Sequence, residues 1–164
     1  SFLIYFTVCE FKSSESGMTK QSITKDDLAE QALQARDQAI APYSDYRVGA
    51  ALLTDTGEVI TAGNIESSTF GLTLCAERVA MFSALTLGHR GFSAIAVATE
   101  NSATPCGACR QILWEFAGDI PVYLVNDQHE VTEISLGEFF PYPFDGSQLP
   151  GKEKLSLTRL FCSD

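Results

Sequence analysis

The sequence predicts a mixed α/β domain in which helices pack on a five-stranded sheet. Apolar residues recur at helical spacing near the start of the chain, and short apolar runs typical of buried strands follow. Helices and strands that alternate along a chain favour layers of helix on sheet. The 164 residues, 45% of them hydrophobic, suffice for one domain with its own core. We expect it to span residues 18–149, and assign no role to an extension of residues 1–17 or a tail of residues 150–164.

The first helix and a β-hairpin are predicted in the first third of the domain. Thr24 and Asp27 are spaced as in a helix capping box, with Asp in the position of Glu. Small and apolar residues then follow at helical spacing: Leu28, Ala32, Ala35 and Ala39. We expect Pro42 to end this helix. Residues 47–54 and 58–62 are predicted strands, joined by a turn that ends at Gly57.

Two more helices alternate with three more strands. The second helix is predicted from about residue 73 to residue 87, with Gly88 as its stop. The third is predicted from Pro105, a residue favoured in the first turn of a helix, to about residue 116. The remaining strands are predicted at residues 93–99 and 121–125, which are largely apolar, and at the short segment of residues 131–134.

Composition excludes several classes of function. The net charge is −10, and no run of Lys and Arg is present, so we expect no nucleic acid partner. No stretch reaches about 18 apolar residues, so we expect no membrane span. The five cysteines are an odd number, which argues against a disulfide framework and favours a reducing compartment, the cytoplasm.

Three cysteines in two short motifs indicate a metal site. Cys106 and Cys109 form a C-x-x-C pair that follows a proline, and Cys75 lies 31 residues before the pair. Each motif falls in the first turn of a predicted helix, so two adjacent helix N-termini could bring three thiolates to one ion. Three thiolates without a fourth protein ligand describe zinc with an open position, where it acts in catalysis.

Charged residues beside the cysteines fit such a centre. Glu77 lies two residues after Cys75 and could move a proton between water and substrate without being a ligand. Zinc with three thiolates carries a net charge of −1, which two helix N-termini and the guanidinium of Arg78 would offset. Arg110 could add to this effect or face solvent.

Other interpretations of each motif are common. A single C-x-x-C pair is often half of a structural zinc site or a redox pair, and a single Glu on a helix usually faces water. A structural site with four cysteines would need Cys9 or Cys162 as the fourth ligand. The combination of both motifs, each at a helix start, favours catalysis.

Four sequence blocks resemble the cytidine deaminase family, specifically its small, tetrameric type. They lie in family order at residues 42–53, 63–66, 74–80 and 105–111, within a similar segment of roughly residues 24–144. The resemblance implies a three-layer α/β/α cytidine deaminase-like fold with a mixed five-stranded sheet. It also implies one Zn²⁺ per chain, bound by Cys75, Cys106 and Cys109, with Glu77 as the proton shuttle.

The resemblance also implies the residues that bind substrate. Asn64 and Glu66 match a pair that holds ribose hydroxyls, and the backbone N–H of Ala76 matches the group that contacts the pyrimidine carbonyl. Tyr46 lies where the family usually has a base-stacking Phe, and its hydroxyl needs a partner. Phe144 matches an aromatic residue that closes the site of a neighbouring subunit in a homotetramer.

One block departs from the family pattern. After Glu66 the family usually continues Asn-Ala-x-Tyr, whereas this chain has Ser67, Ser68, Thr69 and Phe70. The departure concerns contacts with the sugar rather than the metal.

The implied activity is hydrolytic deamination of the small nucleosides cytidine and deoxycytidine, as in pyrimidine salvage. Two alternatives remain open at this point. One is a deaminase of a cytosine-nucleoside antibiotic such as blasticidin S, which shares the cysteine motifs. The other is a non-catalytic, zinc-stabilised module.

Overall fold

The computed structural model describes residues 22–150, which form three helices on a five-stranded sheet. The helices are α1 (Lys25–Asp37), α2 (Ala76–Thr86) and α3 (Gly107–Ala117). The strands are β1 (Gly49–Thr54), β2 (Val59–Gly63), β3 (Phe92–Ala98), β4 (Pro121–Val125) and β5 (Val131–Ser135). The expected extension of residues 1–17 lies outside the described residues, as does the expected tail beyond Pro150.

The sheet is mixed, with the strand order β2-β1-β3-β4-β5. Strand β1 pairs antiparallel with both β2 and β3, whereas β3 and β4 are parallel and β5 returns antiparallel to β4. The parallel pair β3–β4 is joined by α3, as the connection between parallel strands requires a crossover. The predicted mixed five-stranded sheet is confirmed.

Helices cover both faces of the sheet. One face packs against α1 through Leu28 and Ala32, and its strand residues are mostly alanines from β1 and β3. The other face packs against α2 and α3, and it presents larger side chains such as Leu52, Ile95 and Val97. Because consecutive strand residues point to opposite faces, this alternation of small and large side chains creates the predicted three α/β/α layers.

Helix α1 lies unusually close to the hairpin, and two glycines make this possible. A Cβ atom on Gly49 would lie 2.0 Å from the carbonyl oxygen of Ala32, and one on Gly63 would lie 2.7 Å from Cα of Ala39. Contacts shorter than 3 Å to backbone cannot be relieved by moving a side chain. Any larger residue at position 49 or 63 would therefore push α1 off the sheet.

The first helix begins as predicted and ends earlier. The capping box is present, with the N–H of Asp27 donating to the Thr24 hydroxyl and the Asp27 carboxylate accepting from the Thr24 N–H. The helix stops at Asp37, and Ala39 lies beyond it. The reason is Ile40, whose N–H donates to the carbonyl oxygen of Asn64 at 2.8 Å. The loop after β2 thus binds the backbone of Ile40, which would otherwise continue the helix.

The second helix begins three residues later than expected. Leu74 exchanges both backbone hydrogen bonds with Ile65, each at 2.9 Å, and this bridge holds residues 73–75 extended until α2 begins at Ala76. No helix within residues 22–150 combines the length and the apolar character needed to cross a bilayer.

Candidate active site

The N-termini of α2 and α3 bring the three cysteines of the two motifs together. Cys75 is the N-cap of α2 and Cys106 is the N-cap of α3, both with extended backbone, and Cys109 is the third residue of α3. Both helices pack on the same face of the sheet, so their first turns lie side by side. The positive ends of two helix dipoles therefore point at the same cluster of sulfurs.

The sulfur atoms are spaced as zinc requires. Cys75 Sγ lies 3.9 Å from Cys106 Sγ, and Cys106 Sγ lies 3.5 Å from Cys109 Sγ. Tetrahedral zinc with bonds of about 2.3 Å would hold its sulfurs about 3.8 Å apart. Within residues 22–150, this cluster is the only group of three or more His, Cys, Asp or Glu residues that could hold a metal. The donor set therefore fits zinc with one coordination position left over.

Arg78 supplies positive charge to this cluster. Its Nη2 lies 3.5 Å from Cys75 Sγ and donates to the carbonyl oxygen of Thr73 at 3.3 Å. A hydrogen bond from the Cys109 thiol, together with Arg78, lowers the pKa of Cys75 to about 5. The same partnership with Cys75, together with burial, raises the pKa of Cys109. Cys75 therefore gives up its proton more readily than Cys109.

Glu77 is a buried carboxyl group at this centre. It is the second residue of α2 and only 4% exposed, yet it lines the cavity that leads to the cysteines. Burial raises its pKa, and the negative charge of Cys75 acts in the same direction. A raised pKa makes a carboxyl group better able to accept a proton and to return it.

A cavity of about 200 Å³ opens onto the cysteine cluster. Its lining is mostly apolar, with a few convergent polar groups, as is usual for small-molecule sites. The residues that line it come from the segment before β1, the loop after β2, the first turn of α2, strand β3 and the β3–α3 loop. Among them are Tyr46, Asn64, Glu66, Cys75, Glu77 and Cys106.

Asn64 and Glu66 shape one wall of the cavity. The Asn64 side chain accepts from the N–H of Val48 at 2.9 Å and donates to the carbonyl oxygen of Tyr46 at 3.0 Å. The Glu66 carboxylate accepts from the N–H groups of Tyr43 and Ser44, and also from the Ser44 hydroxyl. These bonds to Ser44 and Tyr43 lower the pKa of Glu66. Both side chains therefore organise residues 43–48 while facing the cavity.

Tyr46 finds a partner for its hydroxyl in a residue that the sequence did not single out. The hydroxyl donates to Asn101 Oδ1 at 3.0 Å. Thr99, which is 2% exposed and also lines the cavity, was missed as well. Both lie in the β3–α3 loop, and neither type nor spacing distinguishes them from ordinary loop residues.

Two other predicted residues, Ala76 and Phe144, do not line the cavity. Ala76 is fully buried as the first residue of α2, where backbone N–H groups have no intrahelical partner. Phe144 is 53% exposed and is absent from the cavity lining, so its own chain does not bring it to the site. Its carbonyl oxygen accepts from Gln111 Nε2 at 2.7 Å.

Arg110 braces the loop before Cys106 instead of facing solvent. Its guanidinium donates to the carbonyl oxygen of Pro105 at 2.6 Å, the hydroxyl of Thr104 at 2.9 Å and the carbonyl oxygen of Phe139 at 3.0 Å. The guanidinium carbon also lies over the Phe139 ring, 5.0 Å from its centroid.

Comparisons with known proteins agree with this geometry. Residues 22–124 match the family described as "Cytidine and deoxycytidylate deaminase zinc-binding region". A cytidine deaminase of Halalkalibacterium halodurans is 46% identical over 125 residues, which cover 74% of this chain and 95% of that protein. A blasticidin-S deaminase of Bacillus cereus is 31% identical over 114 residues, covering 62% of this chain and 81% of that protein.

A solved structure shows the same fold. The crystal structure of cytidine deaminase from Burkholderia pseudomallei aligns with a TM-score of 0.71 and 45% sequence identity, covering 74% of this chain and 99% of that one. The resemblance inferred from the four sequence blocks is confirmed, and so is the α/β fold of that family. This chain, with three cysteines and a buried glutamate at one cavity, belongs to the zinc-dependent cytidine and deoxycytidylate deaminase family.

Proposed function

We propose that this protein deaminates cytidine and deoxycytidine by hydrolysis, giving uridine or deoxyuridine and ammonia. The observation that carries the proposal is the buried carboxyl group of Glu77 beside three convergent cysteine sulfurs, at the cavity that Tyr46, Asn64 and Glu66 line. The similarity to cytidine deaminases over 74% of the chain supports it. The catalytic domain would span residues 18–149.

In this proposal Cys75, Cys106 and Cys109 hold one zinc ion. When bound, zinc supplies Lewis acidity that makes a water reactive near neutral pH. Arg78 and the two helix N-termini offset the negative charge of three thiolates. Arg110 fixes the loop that carries Cys106 through its bonds to Thr104 and Pro105.

Glu77 moves the protons of the reaction. It takes one proton from the attacking water and delivers it to N3 of the cytosine ring. It then passes the second proton to the amino group at C4, which leaves as ammonia. Water and cytidine therefore become uridine and ammonia with no other reactant, and Glu77 returns to its starting state.

The cavity wall selects a nucleoside. Asn64 and Glu66 have remaining hydrogen-bonding capacity for sugar hydroxyls. The N–H of Ala76, at the first position of α2, would bind the pyrimidine carbonyl. The ring of Tyr46 stacks on the base. A phosphate group near the Glu66 carboxylate would be repelled, and the net charge of −10 disfavours polynucleotides.

We further propose a cytoplasmic homotetramer that acts in pyrimidine salvage. Side chains of the loop after β2 and of α2 form an apolar groove: Ile65, Leu74, Val79, Phe82 and Leu87. Phe70 and Leu72, in the same loop, are 74% and 69% exposed, and such apolar surface favours burial against other subunits. Phe144 would reach the cavity of a neighbouring subunit.

Three free cysteines within one cluster favour a reducing compartment such as the cytoplasm.

One assay tests this function. Purified protein is mixed with cytidine, and the loss of cytosine absorbance is followed together with ammonia release, with and without a chelator. We expect turnover that the chelator abolishes and added zinc restores. Free cytosine should be a much poorer substrate, because the polar groups at Asn64 and Glu66 would lack the sugar.

The same assay separates the alternatives. Faster turnover of blasticidin S than of cytidine would favour an antibiotic deaminase. Bound zinc without ammonia release from any cytosine compound would favour a non-catalytic module.

A further inference from the structure

Tyr46 is held by hydrogen bonds at three separate points. Its N–H donates to the Ser44 hydroxyl at 3.0 Å, and its carbonyl oxygen accepts from Asn64 Nδ2 at 3.0 Å. Its hydroxyl donates to Asn101 Oδ1, also at 3.0 Å. The first two contacts fix the backbone, while the third fixes the ring. The ring therefore has little freedom even though the residue is partly exposed.

The third contact joins two separate parts of the cavity wall. Tyr46 lies in the segment before β1, whereas Asn101 lies in the β3–α3 loop that leads to Cys106. Thr99 Oγ1 lies 3.4 Å from the same Asn101 oxygen and accepts from the N–H of Ala103 at 2.8 Å. A connected set of polar contacts thus runs from the ring of Tyr46 into the loop that delivers a cysteine.

The contact depends on the tyrosine hydroxyl. A Phe at this position would keep the ring but has no group that could reach Asn101. The fixed orientation of the ring therefore depends on this one hydroxyl.

We propose that Tyr46 and Asn101 form a tether that orders the cavity wall before the nucleoside binds, and so determines how tightly it is held. The inference rests on the proposed function, because it takes the base to stack on Tyr46. A ring already in its bound orientation loses less entropy when the base arrives. The tether does not touch the reacting atoms, so it acts on KM and leaves kcat unchanged.

The test uses Tyr46→Phe, Asn101→Leu and the double variant, each with cytidine. One neutral hydrogen bond typically changes an equilibrium by about 3- to 10-fold. We expect each single variant to raise KM by about that factor, with kcat within about twofold of wild type. The double variant should be no worse than either single variant, because both remove the same contact.

Two controls identify the contact as the cause. Asn101→Asp keeps an oxygen acceptor and should keep KM within about twofold of wild type. Tyr142→Phe removes a hydroxyl from a side chain that is 94% exposed and should change nothing. An unchanged KM in Tyr46→Phe, a matching loss of kcat, or additive losses in the double variant would overturn the tether.

A second measurement needs no substrate. Hydrogen–deuterium exchange should become about 3- to 10-fold faster at residues 99–104 in Tyr46→Phe, since this loop loses an attachment. Unchanged exchange there would overturn the tether even if the enzyme is active. Absence of turnover in the wild-type protein, with faster exchange in Tyr46→Phe, would instead contradict the proposed function.

Discussion

The guanidinium of Arg78 lies 3.5 Å from the sulfur of Cys75, which precedes Arg78 by about one helical turn. Arg78 thus places a positive charge directly beside the cysteine cluster. We expect Arg78→Gln to lower zinc affinity or kcat/KM by about 10- to 100-fold, the usual effect of losing a group that supports a metal ligand. Arg78→Lys should retain part of the zinc affinity and of kcat/KM, because it keeps the positive charge. Arg36→Gln is a matched control, since Arg36 pairs with Asp127 away from the cavity. If Arg78→Gln kept the zinc affinity and activity of the wild-type protein, Arg78 would not support the metal site.

Metal analysis tests the ligand set. Serine is a poor zinc ligand compared with a thiolate, so Cys106→Ser should lose bound zinc and turnover together. Cys9→Ser and Cys162→Ser are the controls and should both keep about one zinc per chain. Loss of zinc in either control would mean a four-cysteine site, and full zinc in Cys106→Ser would remove Cys106 from the ligands.

Glu77→Gln keeps the size of the buried side chain but cannot carry a proton. We expect zinc to remain bound while kcat falls by at least about 10²-fold, the usual scale for a general acid or base. Glu115→Gln, on an exposed part of α3, should leave kcat unchanged. Near-normal turnover in Glu77→Gln would exclude Glu77 as the proton shuttle.

The bonds to Glu66 predict how substrate binding depends on pH. Its pKa lies below the ordinary value of 4.5, mainly because the Ser44 hydroxyl donates to the carboxylate. Binding that needs the carboxylate is thus present above this pKa and is lost as the pH falls through it. We expect Ser44→Ala to move the rise in KM to higher pH, because the pKa of Glu66 returns towards 4.5. Glu66→Gln should abolish this pH dependence; an unchanged KM profile in Ser44→Ala would show that Glu66 does not bind substrate.

Phe144→Ala removes an exposed ring but keeps the backbone bond from Gln111. If the ring completes a neighbour's cavity, KM for cytidine should rise several-fold with zinc retained, and light scattering should show a weaker tetramer. Tyr142→Ala is the control, because Tyr142 is even more exposed. A fully active monomer at assay concentration would contradict the shared site.

Local chemistry explains which elements could be predicted. The capping box at Thr24 and the positive φ angles of Gly57 and Gly88 are properties of single residues and their neighbours. The turn and the helix ends that they mark could therefore be predicted. The end of α1 and the start of α2 were predicted wrongly for a different reason. Ile40 and Leu74 hydrogen-bond to backbone groups of the loop after β2, and a local sequence pattern does not reveal contacts with another segment.

In the site, too, local features could be predicted and contacts between segments could not. Glu77 and the cysteines were identified because metal ligands and their partners have characteristic types and spacings. Asn101 could not be found in this way, since a single Asn in a loop is common. The hydroxyl of Tyr46 required a partner, but its identity depended on how the segment before β1 lies against the β3–α3 loop.

The order of the strands has a consequence for the kinetics of maturation. Only β1 and β3 are neighbours in the sheet without being consecutive in the chain. The hairpins β1–β2 and β4–β5 close over short loops, which favours rapid folding. None of the strand pairs includes Cys75, Cys106 or Cys109, which all lie outside the strands. We expect the polypeptide to fold first and to acquire zinc afterwards, so that enzyme produced during metal shortage accumulates as a folded reserve. Such a reserve would become active within the time of metal diffusion and binding, without new protein synthesis.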